Sequence, residues 1–215
     1  MTNKVEMTKE MTAKITEVLD AKDAVVEHLE QVTQESGEIN RQMNELQADV
    51  KAKTEAMAVI ADIGELKLAK QEITALEEDM ELLASVREVK YKVGLSELEN
   101  KAEAFFKIHG TATSLFTTVD NYFLAHTSLS EFQESKKTMQ DFASTLHFSF
   151  IEVKQLVIDE GLCEVENNGN LVKFKGVSLR NRNLSTELEV FENQCKLRKF
   201  VYESYHADKL SFMTL

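Results

Sequence analysis

The sequence predicts a mainly α protein: a long N-terminal coiled-coil helix over residues 1–108, followed by a small C-terminal module over 109–215 that is helical with a β-hairpin. Three observations predict it. The 215 residues contain no proline, the residue that removes a backbone donor and breaks helix interiors. A 4-3 repeat of mostly apolar residues runs from Met11 to Gly64, with twelve of its sixteen positions apolar. All sixteen Phe and Tyr lie at or after Tyr91. Coiled-coil seams use aliphatic side chains that fit between facing residues, whereas globular cores use the large area of aromatic rings.

The repeat reads Met11, Ile15, Val18, Lys22, Val25, Leu29, Val32, Ser36, Ile39, Met43, Leu46, Val50, Lys53, Met57, Ile60, Gly64. A stripe of this period cannot be buried by one helix alone, so it calls for a partner helix. After Ile60 the spacing shortens to threes, then resumes through Ile73, Leu76, Met80 and Leu83. It shortens again at Val86 and Val89 before Val93. A deletion from the 4-3 pattern overwinds a coiled coil locally. Gly64 and Gly94 sit near the two irregularities. Two arrangements fit, one continuous bent helix or a hairpin folding back near Asp62-Ile63-Gly64. No Asn-Gly or multi-residue turn cluster marks a reversal, which favours the continuous helix.

The oligomer seam expected from this pattern is Ile15, Val18, Val25, Leu29, Val32, Ile39, Met43, Leu46, Val50, Met57, Ile60, Ile73, Leu76, Met80 and Leu83. Its d positions are rich in β-branched residues, which disfavours a simple parallel dimer. Lys22 and Lys53 stand at seam positions, where a charge fixes register at a cost in stability. A trimer, or a hetero-oligomer offering acids opposite those lysines, satisfies both cues.

The C-terminal module reads as helix, helix, hairpin, helix. Gly110 followed by Thr111-Ala-Thr113-Ser114 has the form of a helix stop and a new cap. Leu115, Val119, Tyr122 and His126 share one face of the next helix. Ser128-Leu-Ser-Glu131 matches a capping box. Phe132, Met139, Phe142 and Leu146 follow at helical spacing. Residues 147–153 are strand-like as well as helix-like. Gly161 ends that helix, and residues 162–175 form a hairpin through Asn168-Gly169, the pair suited to a tight reversal. A terminal helix spans about 184–206, with Leu188, Phe191, Cys195 and Tyr202 inward.

Composition narrows the chemistry. With 37 acids against 25 bases the formal charge is −12, which argues against coating nucleic acid as the main activity. Cys163 and Cys195 form no CxxC pair and read as free thiols. No phosphate-cradling glycine loop, HExxH or nucleophile signature occurs. The five histidines show no metal spacing, so no cofactor, metal or catalytic residue is expected and the chain reads as non-enzymatic. The charged start lacks a secretory signal, and no stretch has the ~20 apolar residues that span a bilayer. A soluble, cytoplasmic or otherwise intracellular protein without a membrane partner is the expectation.

One local pattern stands apart. Residues 171–215 hold eight bases against five acids, and Lys173, Lys175, Arg180 and Arg182 occur without an intervening acid. Bases on a hairpin that follows a helix resemble the wing of a winged-helix DNA reader. The resemblance covers about residues 130–176 and rests on Asp159-Glu-Gly-Leu162, Asn168-Gly169 and Leu171-Val-Lys-Phe174. It implies nucleic-acid binding at those four bases. Against it, the preceding helix carries Glu152, Asp159 and Glu160 near its end, where a groove-entering helix should be basic. Lysines guarding an edge strand account for Lys173 and Lys175 well and are the favoured explanation. The leading expectation is an assembly protein, a scaffold or tether, whose coiled coil makes a self or hetero-oligomer. Its C-terminal module would bind a partner protein through the basic patch and the aromatics left exposed after packing. The second reading is an oligomeric nucleic-acid-binding regulator.

Overall fold

The computed structural model describes residues 4–126, 129–166 and 171–180. It is mainly helical, with three helices and a small antiparallel sheet: α1 (Lys4–Met57), α2 (Ile63–His126), α3 (Leu129–Asp159), β1 (Cys163–Glu166), β2 (Leu171–Phe174) and β3 (Val177–Ser178). The chain divides into two compact units, residues 26–100 and residues 1–25 together with 101–215. The break at 100/101 falls within the stretch where aromatics begin, and residue 108 lies inside α2.

Residues 26–100 form a helical hairpin, which corrects the expectation of one continuous helix. α1 ends in a tightened turn, with Ala58, Val59 and Ile60 each donating to the carbonyl three residues back. Asp62 then starts α2. Its side-chain oxygen accepts the Glu65 N–H at 2.9 Å and its carbonyl accepts the Leu66 N–H at 3.0 Å. Asp62 is therefore the N-cap, with Glu65 at the third helical position, the Asp-x-x-Glu pattern of a helix start. Gly64 completes the start: a side chain there would sit 3.0 Å from the capping oxygen of Asp62. The signal for the reversal was Asp62-Ile-Gly-Glu65, a cap rather than a turn dipeptide. Asp62→Ala should cost about 1 kcal/mol, seen as a lower urea midpoint; no change would remove the cap from the account.

Cross-helix pairs show that the two arms are antiparallel. Lys53 bonds Glu72, Arg87 bonds Asn40 at 2.7 Å, Lys90 meets Glu35 at 3.3 Å, and His28 Nε2 donates to the Gly94 carbonyl at 3.0 Å. One residue number falls as the other rises. Ile39, Leu98, His28 and Gly94 are buried between the arms. Most other seam residues are half-buried, as two helices without a third leave part of their seam open.

The second unit has a denser core. Met11, Val18 and Val25 from α1, Phe105 and Ala112 from α2, and Met139, Phe142, Leu146, Phe150, Val153 and Val157 from α3 are buried. The expected helix stop at Gly110 does not occur, because α2 runs on to His126. The Thr/Ser cluster there bonds backwards instead: Thr111, Thr113 and Ser114 hydroxyls each donate to the carbonyl four residues earlier, at 3.0 Å. Those hydroxyls satisfy themselves inside the helix and do not cap a new one.

Residues 147–153 are helical. The inward set is Leu146, Ser149, Phe150, Val153 and Val157, a period of three to four rather than two. α3 stops at Gly161, whose φ of +69° suits glycine. Leu162 N–H reaches the Val157 carbonyl and Gly161 N–H the Ile158 carbonyl, the paired bonds of a Schellman end.

The sheet order is β1-β2-β3. Cys163 pairs with Phe174 and Glu166 with Leu171, so the expected hairpin is present. The third strand comes from after the hairpin, not from 147–153. β2 meets β3 through Lys175-Gly176, with φ of +47° and +75°, the two positive angles of a type I′ turn. Val172 and Phe174 face inward, and the Phe174 ring lies 5.4 Å from that of Phe106 on α2. Residues 127–128, 167–170 and 181–215 lie outside the described residues. With them go Ser128 of the capping box, the Asn168-Gly169 turn, the helix at 184–206, Cys195 and Arg182.

Candidate functional site

All fifteen residues of the expected seam are buried or half-buried. In residues 26–100 that burial is reached within one chain. The acids expected from a partner opposite the seam lysines also come from the same chain. Lys53 pairs with Glu72, and Lys22, in the other unit, lies 3.2 Å from Asp23 and 3.4 Å from Glu152 on α3. Those carboxylates hold the Lys22 pKa above its ordinary value against the opposing pull of burial.

The two arms of the hairpin approach closely at one point. A Cβ on Gly94 would lie 2.5 Å from Cγ2 and 3.1 Å from Cγ1 of Val32, so only glycine fits there. Beside this contact is a groove of about 270 Å³ whose apolar walls are Val32 and Ile39 on α1 and Val89 and Val93 on α2. His28, Glu97, Arg87 and Lys90 also line it.

α2 carries a second apolar stripe that sequence reasoning took for an irregularity of the first. The seam of α2 runs Ile73, Leu76, Met80, Leu83, Arg87, Gly94, Leu98, all buried or half-buried. Leu82, Val86, Val89 and Val93, spaced 4-3-4, are 63%, 37%, 61% and 54% exposed. Arg87 and Gly94 hold seam positions without looking apolar, so the eye steps from Leu83 onto the neighbouring valines.

The other unit has its own exposed apolar residues. Phe148 is 68% exposed on α3, with Ile151 one turn on, and Val165 and Val177 are exposed on β1 and β3. Phe148 is an exposed aromatic that the helix-or-strand ambiguity of 147–153 concealed.

The basic patch is largely neutralised by neighbours. Lys173 bonds Glu166 at 2.8 Å, and that carboxylate, with Glu164 nearby, raises the lysine pKa. Lys173 lies on the central strand, so edge protection does not explain it. Lys175 sits in the β2–β3 turn and bonds Glu103 of α2 at 2.6 Å. Held by Lys107 and Lys175, the Glu103 carboxyl is lowered to about 2. Arg180 is exposed.

His109 is a buried titratable group among the described residues of this unit. It packs between the rings of Phe105 and Phe150, at 5.8 and 5.0 Å, and its Nε2 donates to the Leu146 carbonyl at 3.0 Å. Burial holds its pKa below the ordinary histidine value. The unfolded chain takes up this proton near pH ~6.5 and the folded chain only at lower pH. Its contribution is therefore intact above that pH and is lost as the pH falls toward the folded pKa. Between about pH 7.5 and 5.5 the wild type should lose more stability than His109→Gln; parallel profiles would contradict this.

No group of three His, Cys, Asp or Glu side chains among the described residues could hold a metal ion. Cys163 is free, and burial pushes its thiol up. No helix among the described residues is long and apolar enough to cross a membrane. Neither protein-family models, curated proteins nor solved structures match the chain.

Proposed function

We propose that the chain is a non-enzymatic assembly protein, a scaffold or tether that presents apolar helix faces to other proteins. The observation that carries this reading is two of the apolar surfaces that stay exposed among the described residues. These are the Leu82–Val93 stripe of the hairpin and the Phe148–Ile151 surface on α3. Soluble chains rarely leave such patches unless something covers them. Partner binding by the C-terminal module rests on Phe148 and Ile151 more than on the lysines, which have carboxylate partners already. The nucleic-acid reading keeps the helix-then-hairpin order in its favour. It ranks second because Lys173 and Lys175 would have to leave Glu166 and Glu103 to reach phosphates.

The test is native mass spectrometry of the tagged full chain isolated from its own cells, as wild type and as Phe148→Glu. The wild type should emerge in complexes of fixed stoichiometry. Phe148→Glu should lose the partner held by α3 while keeping its helical circular dichroism. An uncomplexed chain, or complexes indifferent to both Phe148→Glu and a charge at Leu82, would overturn the reading.

A further inference from the structure

We infer that the exposed stripe of α2 is a self-association face, joining two copies of this chain antiparallel about a twofold axis between Val86 and Val89. The inference deepens the assembly reading by naming one partner as a second copy. It stands on three features of residues 26–100.

The first is periodicity. Leu82, Val86, Val89 and Val93 follow the 4-3 spacing that makes one helix pack against another, yet all four are exposed in the single chain. The seam to α1 is a separate set of residues, so the stripe is spare. Two hairpins meeting along it make a four-helix bundle, in which each seam gains the cover that two helices alone do not give.

The second is charge. The stripe has opposite ends. Glu77, Glu78, Asp79 and Glu81 precede or flank its start, and Lys90 and Lys92 flank its finish, with Glu88 beside Lys92. A parallel pair would set acids against acids and bases against bases. An antiparallel pair sets the acidic end of each copy against the basic end of the other. Glu81 and Lys92 lie along the same flank of the stripe, at the helical spacing that makes them cross-copy neighbours. The Lys92 side chain is 71% exposed and, among the described residues, pairs with Glu88 at i−4. Such an exposed pair is weak and exchanges at little cost.

The third is shape. The same antiparallel register places the second copy's Leu82, the largest side chain of the stripe, over Val93. There the groove walled by Val32, Ile39, Val89 and Val93 lies open. By symmetry the contact occurs twice. The patch is small beside the ~800 Å² per partner of a standard stable interface, so the dimer is a weak one that forms with concentration.

Sedimentation equilibrium of the full chain, from micromolar to millimolar, tests this. The wild type should dimerise with rising concentration. Leu82→Glu should weaken the dimer by roughly tenfold or more, with helicity unchanged because the site is exposed. Glu81→Lys and Lys92→Glu should each weaken it by roughly a few-fold, and the double swap should recover the wild-type constant, since each copy then carries both reversed ends. A chain that stays monomeric at millimolar concentration would overturn self-pairing and leave the stripe to a different protein. That outcome does not touch the Phe148 test of the assembly reading. A dimer indifferent to Leu82→Glu would move the contact elsewhere. A dimer that Leu82→Glu breaks but the double swap does not restore would overturn the antiparallel register.

Discussion

Phe105→Ala should destabilise the chain by about 3–5 kcal/mol, the range for emptying a buried aromatic site. Phe105 is 0% exposed, and its ring touches those of Phe106 and His109, at 5.4 and 5.8 Å. Phe106 in turn packs on Phe150 and Phe174, so the cavity opens where α2, α3 and the sheet meet. Net stability of an ordinary domain is only about 5–15 kcal/mol, which makes this loss a large fraction of the whole. Phe148→Ala is the control: it removes the same ring from an exposed site and should stay within about 0.5 kcal/mol. Urea unfolding of the two variants checks the pair. Similar, small changes in both would mean that Phe105 is not a core residue.

Gly94→Ala should also destabilise, although alanine in an ordinary exposed helix position gains about 1 kcal/mol over glycine. The sign reverses because the new methyl would meet Val32 Cγ2 at 2.5 Å. Val32 cannot swing away freely, since a β-branched side chain in a helix has one strongly preferred rotamer. Overpacking of this kind costs about 1–3 kcal/mol. The shift would also strain the bond from His28 Nε2 to the Gly94 carbonyl. Trimming the other side, as Val32→Ala with Gly94→Ala, should recover stability relative to the sum of the single changes, a coupling that only contacting residues show. Thermal unfolding of the four proteins measures it. A stabilised Gly94→Ala would mean that the two helices do not meet at this point.

Much of the architecture was legible. The 4-3 repeat found the less exposed face of α1, down to Lys22 and Lys53, which are half-buried as seam positions should be. Gly161 and the run 162–175 found the end of α3 and the β1–β2 hairpin. The partner of the seam was not legible, because periodicity states that a helix needs a neighbour and is silent on whose helix it is. The reversal at 58–62 was hidden for a related reason. Its signal, Asp62 with Glu65, is a helix start, and the chain turns in three residues of tightened helix rather than in a glycine-rich loop. Gly110 misled in the opposite sense. A glycine before hydroxyl residues looks like a boundary, but each hydroxyl found a carbonyl one turn back.

The candidate surfaces were partly legible. The lysines of the hairpin stand out in sequence, yet Glu103 is 72 residues from Lys175, and no local pattern announces that pairing. The valines of the second stripe were visible, but only as a shortening of the first repeat. Arg87 and Gly94 occupy seam sites for reasons of contact, a hydrogen bond to Asn40 and a close approach to Val32, that hydrophobicity does not record.

The hairpin requires α1 to close against α2 within one chain, and a spin-label distance between Glu30→Cys and Ser96→Cys tests that most directly. Cys163 and Cys195 are replaced by serine, and the labelled chain is diluted in an excess of unlabelled chain so that only distances within one molecule are read. Both positions are exposed and lie a turn or less from the His28–Gly94 contact. Packed helices have axes about 8–10 Å apart, so the predicted distance is short, below about 30 Å with the labels included. One continuous helix would instead separate the labels by roughly 100 Å at 1.5 Å per residue. A distance of that order, or loss of the short distance on dilution with unlabelled chain, would contradict the hairpin and every inference drawn from it.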